Sequence, residues 1–173
     1  TGRRPNARDE QGATGSNYTG VGRDFFWCGG DEVSQHSTNV VVVALIHDAD
    51  NKIFIARRAS SKSFHPGMFE CIGGHLELNE TPEEGLKREV YEEINTRIRV
   101  GKLIDAFTYT DDGEFKVELS YLCEFEDDQQ PVLNPDDHSE ALWIGSGEIE
   151  KFEKEDEETA ALRKAFRILE GEE

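Results

Sequence analysis

The stretch Gly73–Thr96, GGHLELNETPEEGLKREVYEEINT, decides how this chain is read. It opens on a Gly-Gly pair expected to form a tight turn, passes through a loop, and continues as a helix. Thr81 is a good N-cap, Pro82 takes the first helical position, and Glu84 completes a T-x-x-E capping box. Leu86, Val90 and Ile94 then recur every four residues and mark the face turned to the core. Glu89, Glu92 and Glu93, spaced i, i+3, i+4, share a neighbouring face. Carboxylates that close repel one another unless a cation compensates them. Hard divalent ions such as Mg²⁺ or Mn²⁺ fit, because they take oxygen ligands and are often held by few carboxylates plus substrate phosphates. The alternative for such a face is a solvated acidic stripe.

Gly74, five residues, Glu80, seven residues, then Arg88-Glu89-Val90-x-Glu92-Glu93 is similar to the signature of the Nudix hydrolases. The chain departs from that signature at Asn95, where a glycine is usual, and at Thr96, where an aliphatic residue is usual. Asn is the next best residue for a left-handed helix end, so the C-cap is expected to survive. The resemblance implies an α/β fold, the Nudix α/β/α sandwich with a mixed β-sheet between helices. It also implies metal-dependent hydrolysis of a nucleoside diphosphate linked to another moiety. A nucleoside triphosphate, nucleotide sugar, ADP-ribose, dinucleoside polyphosphate or inositol pyrophosphate would each qualify.

By the same resemblance Glu92 and Glu93 are the principal metal ligands, and Glu89 is a further ligand or the base. The backbone carbonyl of Gly73 is expected as another ligand. Arg88 is expected on the far side of the helix, pairing with Glu80 and steadying the loop. Arg57 and Arg58 resemble the position from which family members reach a substrate phosphate; solvated strand-end arginines are the alternative. His75 is either a phosphate donor or an ordinary loop histidine. One more carboxylate from downstream is expected, with Glu140 favoured over Glu118 and Asp137. His138 is read as a loop residue. Two other classes compete: a non-catalytic nucleotide sensor, which usually lacks signature glutamates, and a prenyl diphosphate isomerase, which would want a catalytic cysteine.

Composition narrows the partners. With 19 basic and 37 acidic residues among 173, the net charge is −18, which disfavours nucleic acid and anionic membranes. Cys28, Cys71 and Cys123 form no C-x-x-C pair, which favours reduced thiols and a cytoplasmic setting. No apolar run approaches the ~20 residues of a membrane helix, and no signal peptide is expected.

Residues 1–37, poor in aliphatics, read as a flexible N-terminal extension, and 38–173 as the Nudix domain. Phe25-Phe26-Trp27 interrupts the extension as a short strand, a plug or a homodimer contact. Asn39–Ile46 reads as a strand buried on both faces, forming a hairpin with Lys52–Arg57. Met68–Ile72 is expected to be one short strand. Arg97–Thr110 and Glu114–Phe125 flank a turn at Asp111-Asp112-Gly113, the second strand alternating as if half-exposed. Ala141–Ile144 is a last short strand, Glu148–Glu158 a solvated connector, and Thr159–Glu170 an amphipathic closing helix.

Overall fold

The computed structural model describes residues 38–172 apart from 64, 112, 128 and 153–156. The expected extension 1–37, its aromatic triplet, Cys28 and the Asp112 turn position lie outside the described residues. In chain order the elements are β1 (Thr38–Ile46), β2 (Ile53–Arg58), β3 (Phe69–Glu70), β4 (Ile72–His75), α1 (Pro82–Ile94), β5 (Ile98–Asp111), β6 (Glu114–Phe125), β7 (His138–Ile144), a 3₁₀ turn (Ser146–Phe152) and α2 (Glu157–Leu169).

The strands form two sheets, ordered β4-β1-β6-β5 and β3-β2-β7. The first is mixed: β1 runs parallel to β6 and antiparallel to β4. One apolar core joins both sheets to α2 through Leu162, Ala165 and Phe166. The other joins both sheets to α1 through Leu86, Val90 and Ile94, the three residues whose spacing marked the helix. This is an α/β sandwich.

Local chemistry sets α1 as expected. Thr81 and Glu84 form the reciprocal capping box, and Asn95 closes the helix in the left-handed region at φ 49°. Thr96 is 1% exposed and its hydroxyl has no partner, so the smaller residue leaves a buried polar atom where an aliphatic would pack.

Four expectations need correction. β1 and β2 are not a hairpin: β1 spends both backbone edges on β4 and β6, and only a single bridge, His47 to Ile53, links its end to β2. Gly73-Gly74 is no turn but part of β4, with Gly73 opposite Val43 and Gly74 opposite Val42. Met68–Ile72 breaks at Cys71, where the chain passes from one sheet to the other. β6 is an inner strand whose supposedly solvated face includes Glu118 and Ser120, both buried. The closing helix was placed to within two residues, and β7 begins three residues earlier than expected, at His138.

Candidate active site

The two glycines of β4 bring α1 to the cleft. A Cβ built on Gly74 would lie 2.4 Å from the Glu89 carboxylate carbon, so the bare Cα leaves the room that this side chain occupies. Glu93, one turn on, receives a hydrogen bond from the Gly73 backbone N–H. Its Oε2 is buried and has no hydrogen-bond partner among the described residues. Burial first, then the charges of Glu70, Glu89 and Asp137, push the Glu93 carboxyl up to about 9. Burial also raises Glu89, against the pull of Arg88.

Arg88 does not line the cleft, yet it reaches two of the glutamates as well as Glu80. Its Nε and Nη2 donate to Glu80 at 2.7 and 2.9 Å, as the spacing implied, and they hold the Glu80 carboxyl down to about 2. Nη1 also donates to Glu89 at 2.9 Å and Glu92 at 3.2 Å, and Nη2 donates to the His75 carbonyl at 3.0 Å. The planar fork ties the loop, β4 and two of the three glutamates together. Arg88→Lys keeps the charge and loses the fork. Its turnover should fall about tenfold to a hundredfold, as for residues that orient metal-binding carboxylates; steady-state kinetics beside a melting curve checks this.

Arg58 faces the cleft, where Nη1 donates to both Glu70 oxygens at 2.7 and 2.6 Å. Glu70 also meets Nε2 of His138 at 3.0 Å, a histidine only 2% exposed. Lys62 pairs with Asp137 at the same cleft. Arg57 and Glu140 lie elsewhere: they face each other across β2 and β7, 3.0 Å apart, and Arg57 stacks over Phe69. Neither lines the cleft, whereas Asp137 and Glu118, the less favoured downstream carboxylates, both do. His75 lines it from the end of β4. Glu92 is 56% exposed and points outward, where Arg88 meets it.

Lys62, Tyr109, Lys116 and Glu158 were not singled out as site residues, yet all line the cleft. Glu158, assigned to the solvated connector, instead accepts from the Cys71 backbone N–H at 3.1 Å. The available signal was Glu118 with Ser120: two polar residues on one face of a strand that ends up between two others.

The donor set fits a hard divalent cation. It is all oxygen, the Glu93 Oε2 is buried and unpartnered, and neighbouring carboxylates crowd it. In the present side-chain arrangement no three His, Cys, Asp or Glu among the described residues stand close enough to hold an ion, with Glu89 and Glu92 engaged by Arg88.

The α/β sandwich and its glycine strand thus set helix carboxylates at a cleft of about 750 Å³. The family model described as the NUDIX domain matches residues 37–166, and the chain belongs to that family. A Nudix hydrolase of Deinococcus radiodurans is 32% identical over 111 residues, 60% of this chain and 61% of that protein. The 8-oxo-dGTP diphosphatase of Proteus vulgaris is 41% identical over 69 residues, 40% of this chain and 61% of that protein. The chain thus spans about three-fifths of the length of these curated relatives. The MutT protein of Methanosarcina mazei Go1 shares the fold, with TM-score 0.64 and 19% identity over 80% of this chain and 97% of that one. Nudix proteins generally use divalent metals. No helix among the described residues is long and apolar enough to cross a membrane.

Proposed function

We propose that this chain is a metal-assisted pyrophosphohydrolase acting on a nucleoside diphosphate linked to another moiety. The observation that carries the reading is the buried, unpartnered Glu93 oxygen beside Glu89, at a cleft that also holds Arg58 and Lys62. Glu93 would hold the ion with the Gly73 carbonyl, Glu92 would join them on turning from Arg88, and Glu89 would serve as further ligand or as base. Mg²⁺ or Mn²⁺, when bound, supplies neutralisation of phosphate oxygens and a more acidic water. Arg88 keeps Glu89 and Glu92 positioned through its fork. Arg58 and Lys62, each already matched by a carboxylate, orient phosphate oxygens at the cleft. His75 offers a further donor at the rim.

All the signature glutamates are present, which favours turnover over the sensor reading. Cys71 and Cys123 are buried and in no disulfide among the described residues, which supports a reduced, cytoplasmic setting. Cys71 lines the cleft as a buried residue between β3 and β4.

Incubation with a panel of nucleoside-diphosphate-linked substrates should release phosphorylated products with Mg²⁺ or Mn²⁺. Release should stop with EDTA and return when metal is restored. Nucleotide binding with no product under any metal would support the sensor instead; an EDTA-insensitive rate would remove metal assistance.

A further inference from the structure

The cleft has two walls, and the proposed chemistry uses only one. The α1 wall holds the glutamates, Arg58 and Lys62. A second wall is the β5–β6 hairpin, which brings Tyr109, Asp111, Glu114, Lys116 and Glu118 to the cleft, with Glu158 of α2 also lining it. Glu118 is 5% exposed, deep for a carboxylate, and it lies within reach of the Ser120 hydroxyl at 3.5 Å. Tyr109 hydrogen-bonds it from β5. Lys116 is the hairpin wall's cation, and Asp111 already holds its ammonium at 2.8 Å, with the Tyr109 ring 6.0 Å below. The hairpin wall and Glu158 therefore present four carboxylates and a phenol against one ammonium.

We propose that the hairpin wall is the subsite for the substrate's second moiety, and that this moiety is an uncharged, hydroxyl-rich group such as a sugar rather than a further run of phosphates. The inference rests on the pyrophosphohydrolase reading and narrows it. A carboxylate accepts hydrogen bonds from adjacent hydroxyls, as acidic residues do with ribose diols elsewhere, and Tyr109 adds a hydroxyl that both donates and accepts. The phenol stays protonated across the working range, because burial and then the charges of Glu118, Glu158 and Asp111 push its ionisation upward. An extra phosphate here would face Glu118 and Glu158 at short range in a partly desolvated cleft, where like charges repel strongly.

The test compares kcat/KM for two nucleoside diphosphate sugars, ADP-ribose and UDP-glucose, with that for ATP, dGTP and a dinucleoside tetraphosphate, all with Mg²⁺. Glu118→Gln and the near-isosteric Tyr109→Phe are run beside the native chain. At least one sugar-linked substrate should exceed every triphosphate and polyphosphate by about tenfold or more. In both variants that advantage should shrink, chiefly through KM, by roughly fivefold to tenfold, as when a site loses a hydroxyl partner. If triphosphates or polyphosphates are cleaved as well or better, the inference is overturned while the hydrolase reading stands. A sugar preference unchanged in folded Tyr109→Phe and Glu118→Gln removes the hairpin wall as its source. Cleavage of no member of the panel removes the underlying reading, and this inference with it.

Discussion

Replacing Glu93 by glutamine should lower turnover about a thousandfold, equivalent to about 4 kcal/mol of transition-state stabilisation, while the fold survives. Glutamine matches the volume and keeps an oxygen that can accept from the Gly73 N–H, but it brings no charge to bind a divalent ion. The same substitution has a second signature in the metal-free protein. Glu93 ionises near 4.5 when unfolded and near 9 when folded. Between those values the native state keeps a proton that the unfolded chain has lost, so stability falls as pH rises. The penalty is absent below about 4.5 and fully developed above about 9. In EDTA the variant should therefore melt above the native chain at pH 8, with the gap closing toward pH 4.5. Adding Mg²⁺ at pH 8 should raise the native melting temperature and leave the variant's nearly unmoved, since only a ligand that binds the folded state stabilises it. A variant with near-native turnover would take Glu93 out of the metal site. Melting curves that run parallel at all pH values would show that the carboxyl is not held protonated by burial.

The helix at the heart of this site was legible because its determinants are local. A cap, a proline, an apolar repeat and the glutamate spacing all lie within sixteen residues, Thr81 to Thr96, and the structure keeps each of them. Pairing between strands is not local, and there the sequence said less. The β-branched run of β1 correctly announced burial on both faces, yet nothing in it specifies β4 and β6 as partners rather than β2. Arg57 and Arg58 looked equivalent at a strand end. Strand alternation sends them to opposite sides, one to Glu140 and the other into the cleft. Glu140 was favoured for its nearness to the last strand, but opposition to Arg57 places it outside the cleft, and Asp137 enters it instead. Glu118 alternates with apolar neighbours as a surface residue would. Its pairing beside Val41 puts it on the sheet face against which α2 packs, and that is what turns it inward. His138 looked like loop because its loop ends there; as the first residue of β7 it is buried against Glu70.

Gly73→Ala should cost the protein far more stability than Gly74→Ala, although the two glycines are neighbours in one short strand. A Cβ on Gly73 would stand 2.1 Å from the Val42 carbonyl oxygen and 2.9 Å from the Val43 Cα, both main-chain atoms of β1. Neither can step aside without shifting β1, which is held on its other edge by nine paired positions of β6. Overpacking against backbone so constrained costs about 3 kcal/mol or more, which lowers the melting temperature of a domain this size by roughly 6–12 °C. The three atoms nearest a Cβ on Gly74 all belong to the Glu89 carboxylate, at 2.4 to 2.6 Å, and a long side chain can rotate away. Gly74→Ala should thus melt within a few degrees of the native chain and lose activity, because the displaced group is one of the three glutamates on which the chemistry depends. Thermal melts paired with initial rates on the same preparations separate the two effects. A Gly73→Ala variant with native stability would mean that β4 does not pair with β1 at this register, and the route by which the α1 carboxylates reach the cleft would have to be different.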